Sequence, residues 1–146
     1  MFLGTTQVID TLFDSVKILC LINTFEKQIE KRAIHVNATW AKRCNKYLFL
    51  SYNENITLPY LDLGLPERRS NLWSKIRALF RWTLENEIDN FDFFLKADDD
   101  SYFIMENLRF MLLPYNPDEA YYFGSRFKYI VKHGYMSGGA GYILSR

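Results

Sequence analysis

Two cysteines, Cys20 and Cys44, are all that the 146 residues contain. That is too few for a disulfide-framed miniprotein or a cysteine-rich zinc site. On these grounds the pair forms one bridge or stays as two buried thiols. Neither sign of charge prevails: 18 Lys and Arg face 17 Asp and Glu, for a net charge of +1. Such a balance argues against a protein held mainly by charge to nucleic acid or to an anionic membrane. A long apolar run is missing too. The longest early one, residues 18–22, is too short to cross a bilayer. Residues 1–16 carry Asp10 and Asp14 and lack the basic flank and apolar stretch of a targeting segment, so they read as a leader or stem. There is no internal repeat and no low-complexity tract. The glycines match neither G-x-G-x-x-G nor a Walker loop, which leaves dinucleotide and P-loop chemistry without support. His35 and His133 stand alone, and no nucleophile–histidine–acid set can be assembled around them.

What is present is apolar and aromatic. Hydrophobic residues make up 49% and aromatics 17% of the chain, enough to exclude global disorder and to build one domain with its core. Lys17-Ile18-Leu19-Cys20-Leu21-Ile22-Asn23 has the length and continuity of a strand buried on both faces. Thr24 opens a helical stretch in which Ile29, Ala33, Val36 and Trp40 share a face, ending near Arg43-Cys44-Asn45. Tyr47-Leu48-Phe49-Leu50-Ser51 is a second strand, and residues 52–66 form a polar loop bounded by proline. Leu72, Ile76, Leu79 and Phe80 mark a second amphipathic helix running to about Glu87. Residues 91–97 are a third strand; Leu108, Met111 and Leu112 suggest a short helix stopped by Pro114; Tyr121-Tyr122-Phe123-Gly124 is a fourth strand. Tyr142-Ile143-Leu144-Ser145-Arg146 reads as the start of a further element, as in a fragment. Strand, helix, strand, helix, strand predicts an α/β layer of parallel strands, whose ligands bind outside the strands' carboxyl ends. Two sequons occur, Asn37-Ala38-Thr39 in a predicted helix and Asn55-Ile56-Thr57 in a predicted loop, the latter being the better placed for a glycan.

The sharpest chemical signal is Asp98-Asp99-Asp100 at the end of the third strand. Asp98 and Asp100 can converge on one hard cation such as magnesium or manganese, which would bridge them to a diphosphate. The alternative is a solvated acidic turn in which Asp100 or Ser101 caps the next helix. Glu67-Arg68-Arg69 and Lys75 surround the start of the second helix. Cations and helix N-terminal amides there suit phosphate, and composition alone reads the same residues as a solvated basic face. Ser137-Gly138-Gly139-Ala140-Gly141 permits close backbone approach to a ligand or tight packing.

Taken in order, these strings resemble a known family. Lys17-Ile18-Leu19-Cys20, His35-Val36 with Ala38-Thr39-Trp40-Ala41 and Arg43-Cys44-Asn45, Phe94-Leu95-Lys96-Ala97-Asp98-Asp99-Asp100 with Tyr102, Tyr122-Phe123-Gly124, and residues 134–142 are similar to the core 1 beta-1,3-galactosyltransferases. The resemblance runs over about residues 8–146. It implies an α/β nucleotide-sugar-binding fold of the GT-A type, with residues 17–146 as its donor-binding part. It implies an inverting transfer of galactose from UDP-galactose to the 3-hydroxyl of GalNAc on Ser or Thr of a glycoprotein, with Mn2+. Asp98 and Asp100 match the metal-binding carboxylates, and Asp98 also lies against the nucleotide. Thr24, Glu67, Arg68, Arg69 and Lys75 match nucleotide-contacting positions, with Arg68 standing where relatives carry glycine. Cys20 and Cys44 match a disulfide formed in the Golgi lumen. The resemblance places the general base, a histidine metal ligand and an acceptor-binding tryptophan beyond the segment matching Arg146. It places a membrane anchor before the first residue, on the lumenal side of the Golgi, and it allows a homodimer. A donor-binding half of this kind need not turn over by itself. Two other readings remain: a Fringe-like beta-1,3-glycosyltransferase with another donor or acceptor, and a non-catalytic, chaperone-like relative. A related chaperone lacks the aspartate motif, so Asp98-Asp99-Asp100 favours the enzymes.

Overall fold

The computed structural model describes residues 5–51, 57–66 and 68–146. β1 (Ile18–Asn23) is buried along its whole length, as an unbroken apolar run at the centre of a sheet must be. It pairs in parallel with β2 (Lys46–Leu50) on one side and with β4 (Phe93–Asp98) on the other. A two-residue strand, β3 (Tyr60–Leu61), lies parallel beyond β2 inside the stretch expected to be all loop. Its brevity leaves no alternation to read.

Beyond β4 the sheet changes direction. β8 (Tyr142–Ser145) is antiparallel to β4, and β5 (Tyr122–Gly124) is antiparallel to β8. The order is β3-β2-β1-β4-β8-β5. The expected parallel layer is therefore a mixed sheet. The chain enters β8 from a small hairpin, β6 (Arg126–Phe127) and β7 (Tyr135–Met136), and not from a crossover helix.

Strand alternation divides the core between the two faces. Phe93, Leu95 and Ala97 point to the face covered by α2 (Ile34–Ala38) and α4 (Met105–Leu112), where Val36, Trp40, Met105 and Leu112 meet them. Phe94 packs on the opposite face with Leu19, Leu21, Leu50 and Leu79 of α3 (Leu72–Asn86). The single helix expected after Thr24 is broken into a π-helical turn (Ile29–Ala33), α2 and a 3-10 turn (Ala41–Arg43). Thr39 turns its hydroxyl back onto the His35 carbonyl at 2.7 Å, a local bond that competes with helix continuation. The irregular path still buries Ala33, Val36 and Trp40 as the periodicity requires.

Cys20 and Cys44 are joined in a disulfide that ties β1 to the end of this helical segment. Residues 5–15, expected as leader or stem, form α1 (Thr5–Ser15). It is fastened to the domain through the buried Arg109, whose guanidinium lies 4.7 Å from the Phe13 ring centre. Arg109 also donates to the carbonyls of Val16 and Arg43 and to Asn45 Oδ1. Burial lowers its pKa from the ordinary arginine value, against the opposing pull of Glu106. No helix among the described residues is long and apolar enough to cross a membrane.

Candidate functional site

From β1 the chain moves outward through β2 and β3 and then returns to the far side of β1 as β4. The strand order reverses between the carboxyl ends of β1 and β4, which is where open α/β sheets bind ligands. Asn23 and Asp98 face each other in register there, and Asn23 Nδ2 lies 3.4 Å from Asp98 Oδ1. Asn23 Oδ1 is buried and has no hydrogen-bond partner among the described residues.

The three aspartates divide their tasks. Asp98 is partly exposed and accepts a 2.6 Å bond from Lys96 Nζ. Lys96 and Asp98 are two apart on one strand and so share a face. The Lys96 ammonium is buried and also donates to the Gly138 carbonyl at 2.9 Å, fastening the glycine-rich segment to the carboxylate edge. Asp99 turns inward, accepting the Thr24 hydroxyl at 2.7 Å. Asp100 is 56% exposed and pairs with Arg32 Nη1 at 3.1 Å, while the same nitrogen lies 3.4 Å from Asp99 Oδ1. Neither Asp100 nor Ser101 caps α4: the helix begins after Ile104, which makes no side-chain cap bond. Trp40, the aromatic of the 38–41 string, donates its indole N–H to the Ser101 carbonyl at 3.0 Å and fixes the loop that follows the aspartates.

Thr24, Lys75, Arg68 and Arg69 fall on the same edge in different roles. Thr24 is fully buried and its hydroxyl donates to Asp99, so its side chain braces the edge from within. Lys75 is buried in the first turn of α3, donating to the carbonyls of Thr24 and Leu50 at 3.1 Å each. It pins the helix N-terminus to the ends of β1 and β2. Arg68 and Arg69 lie exposed just before that N-terminus. Glu67 lies outside the described residues, as does Asn55. Asn37 accepts a 2.9 Å hydrogen bond from the Tyr47 hydroxyl. His35 and His133 are exposed, and their carbonyls accept from Thr39 and Arg126.

Sequence reasoning gave no role to Lys96, Arg32 or Asn23. Lys96 had a legible signal, a charge inside an apolar strand. Arg32 had none, since its partners lie far away in sequence.

At the turn into β8, Gly141 adopts φ +78°, and a Cβ there would stand 2.7 Å from Phe103 Cζ and 3.0 Å from the Lys96 carbonyl. Gly138 has open space around it. Gly141→Ala should destabilise the protein by about 2–4 kcal/mol through left-handed strain and overpacking. Gly138→Ala should stay within about 0.5 kcal/mol of the parent. Urea melts of the two variants check the contrast, and equal midpoints would refute it. Next to Gly141, the Tyr142 hydroxyl is pushed up to about 12 by burial, helped by Tyr122 and Asp98, and stays neutral at physiological pH.

The donor set at the switch point consists of oxygen atoms, which suits magnesium or manganese and excludes a thiolate site. No group of three or more His, Cys, Asp or Glu among the described residues could hold a metal. Two carboxylates such as Asp98 and Asp100 would leave the other positions of such an ion to phosphate oxygens and water, as is common for magnesium at nucleotides.

No family model matches the chain. Over 141 residues it is 45% identical to glycoprotein-N-acetylgalactosamine 3-beta-galactosyltransferase 1 of Xenopus laevis, an alignment taking in 96% of this chain and 39% of that relative. It is 26% identical over 133 residues to beta-1,3-glucosyltransferase of Mus musculus, covering 89% of this chain and 27% of the relative. The human beta-1,3-glucosyltransferase is 28% identical over 133 residues, with 88% and 26% covered. The chain thus spans well under half the length of these relatives. The mixed sheet with helices on both faces is the α/β, Rossmann-like fold of GT-A glycosyltransferases. Along nearly its whole length, the chain is thus similar to a core 1 type beta-1,3-galactosyltransferase.

Proposed function

We propose that this chain forms the donor side of an inverting beta-1,3-galactosyltransferase. The transferase moves galactose from UDP-galactose to the 3-hydroxyl of GalNAc O-linked to a glycoprotein, in the Golgi lumen. The observation that carries the reading is the placement of Asp98 and Asp100 at the switch point of the sheet, with Arg68 and Arg69 on the same edge. Asp98 and Asp100 would hold a divalent cation, Mn2+ in this reading. When bound, the ion supplies positive charge to the diphosphate leaving group. Lys96 holds one oxygen of Asp98. Thr24 and Arg32 hold Asp99 and with it the turn. Arg68 and Arg69 offer cations to the nucleotide phosphates, and Lys75 keeps the α3 N-terminus at the strand ends. The proton of the acceptor hydroxyl must pass to a general base, and none of these residues is assigned that role.

Calorimetry of UDP binding with and without Mn2+ tests this. UDP should bind only with the ion. Asp100→Asn should weaken UDP by about tenfold or more, the loss expected for one charged ligand. Equal UDP affinity in the variant would remove Asp100 from the site. A folded chain that ignores UDP would favour the non-catalytic reading. The similarity to the beta-1,3-glucosyltransferases supports a second reading, a different hexose on the same nucleotide. Competition between UDP-galactose and UDP-glucose separates the two.

A further inference from the structure

Arg32 touches two of the three aspartates, and its two contacts differ. Asp99 has a side chain only 6% exposed and is fixed a second time by the Thr24 hydroxyl. Asp100 has a side chain 56% exposed, and Arg32 itself is 45% exposed. An ion pair open to water on both sides is weak, because water and salt screen it and two side chains lose rotamer freedom in making it. The Arg32–Asp99 contact is the anchored half and Arg32–Asp100 the loose half. Arg32 also sits in the π-helical turn Ile29–Ala33, a local widening frequent at functional sites.

We propose that Arg32 is a resident counter-charge for the donor site. Without a cation it neutralises Asp100. When a divalent cation is present it releases Asp100 while keeping Asp99. Asp100 is then never an unpaired carboxylate beside Asp98, and Arg32 moves by breaking one exposed contact, not two. The proposal rests on the reading of Asp98 and Asp100 as cation ligands. It differs from that reading in making Arg32 a competitor of the cation, so that removing its charge improves metal binding.

The test is Mn2+ binding without nucleotide, read from the electron paramagnetic resonance signal of the free ion. The proteins are the parent, Arg32→Gln, Arg32→Lys, Asp100→Asn and the double variant Arg32→Gln with Asp100→Asn. Circular dichroism melts confirm that each is folded. Arg32→Gln should bind Mn2+ about threefold to fivefold more tightly than the parent, the ceiling set by an exposed pair. Arg32→Lys keeps the charge but moves it to a compact ammonium of shorter reach than the Nη1 that meets both carboxylates, and should fall between them. In the Asp100→Asn background the Arg32→Gln gain should vanish, because the competed contact is already gone. An unchanged or weaker affinity in Arg32→Gln overturns the proposal. So does a gain that persists undiminished in the Asp100→Asn background, since that would be a general charge effect. No Mn2+ binding by any folded variant, with UDP or without, overturns the metal reading itself and this proposal with it.

Discussion

Lys96→Met is expected to cost about 2–3 kcal/mol of stability, although methionine fills nearly the same space as the lysine stem. The ammonium is 5% exposed and joins two things that would otherwise be separate, the Asp98 carboxylate and the Gly138 carbonyl. Removing one partner of a buried pair leaves the other charge poorly solvated, which costs about 3–5 kcal/mol where burial is complete. Asp98 is 26% exposed, so water recovers part of that and the lower figure applies. If the cost comes from the stranded carboxylate, then Lys96→Met combined with Asp98→Asn should be more stable than the sum of the two single changes. Urea melts of the four proteins close this cycle. Strict additivity would mean that the lysine acts by packing alone.

Lys96 also shows what could be read in advance. A lysine between Leu95 and Ala97 in a run with strand length must either break the strand or find a partner, and Asp98 two residues on is the nearest acid on its face. β1 and β4 were legible as runs of strand length buried on both faces, and α3 by the helical period of the face it buries. The aspartate turn was legible because topology places strand ends on one edge. Other features depend on distant contacts that leave no local trace. Arg32 meets Asp99 across 67 residues, and nothing near Arg32 announces it. The inward turn of Thr24 and Asp99 is likewise set by their mutual bond and not by either neighbourhood. The direction of β8 follows from the β6–β7 hairpin, whose strands of two residues each are too short to alternate. The break in the helix after Thr24 hides beneath an intact apolar period, since the core asks only that Ala33, Val36 and Trp40 face inward.

The Cys20–Cys44 bridge gives the other large effect. It closes a loop with a sequence separation of 24, and restricting the unfolded chain to that loop is worth about 3.5 kcal/mol on the chain-entropy account. Both residues are buried, so two reduced thiols would keep the packing and lose chiefly the restriction. The paired substitution of Cys20 and Cys44 by alanine is therefore expected to lower the melting midpoint by about 10 °C for a domain of this size. Reductant should lower the parent's midpoint to a similar degree and leave the double variant unmoved. A parent whose midpoint ignores reductant while its thiols become reactive would show that the bridge contributes nothing. The consequence reaches the donor edge, because the loop it closes carries Arg32 to the aspartates and Trp40 to the Ser101 carbonyl. With the bridge open, that segment stays attached by its packing and by these non-covalent contacts. UDP affinity should then fall along with the midpoint, and a loss of stability with donor affinity untouched would confine the disulfide's role to folding.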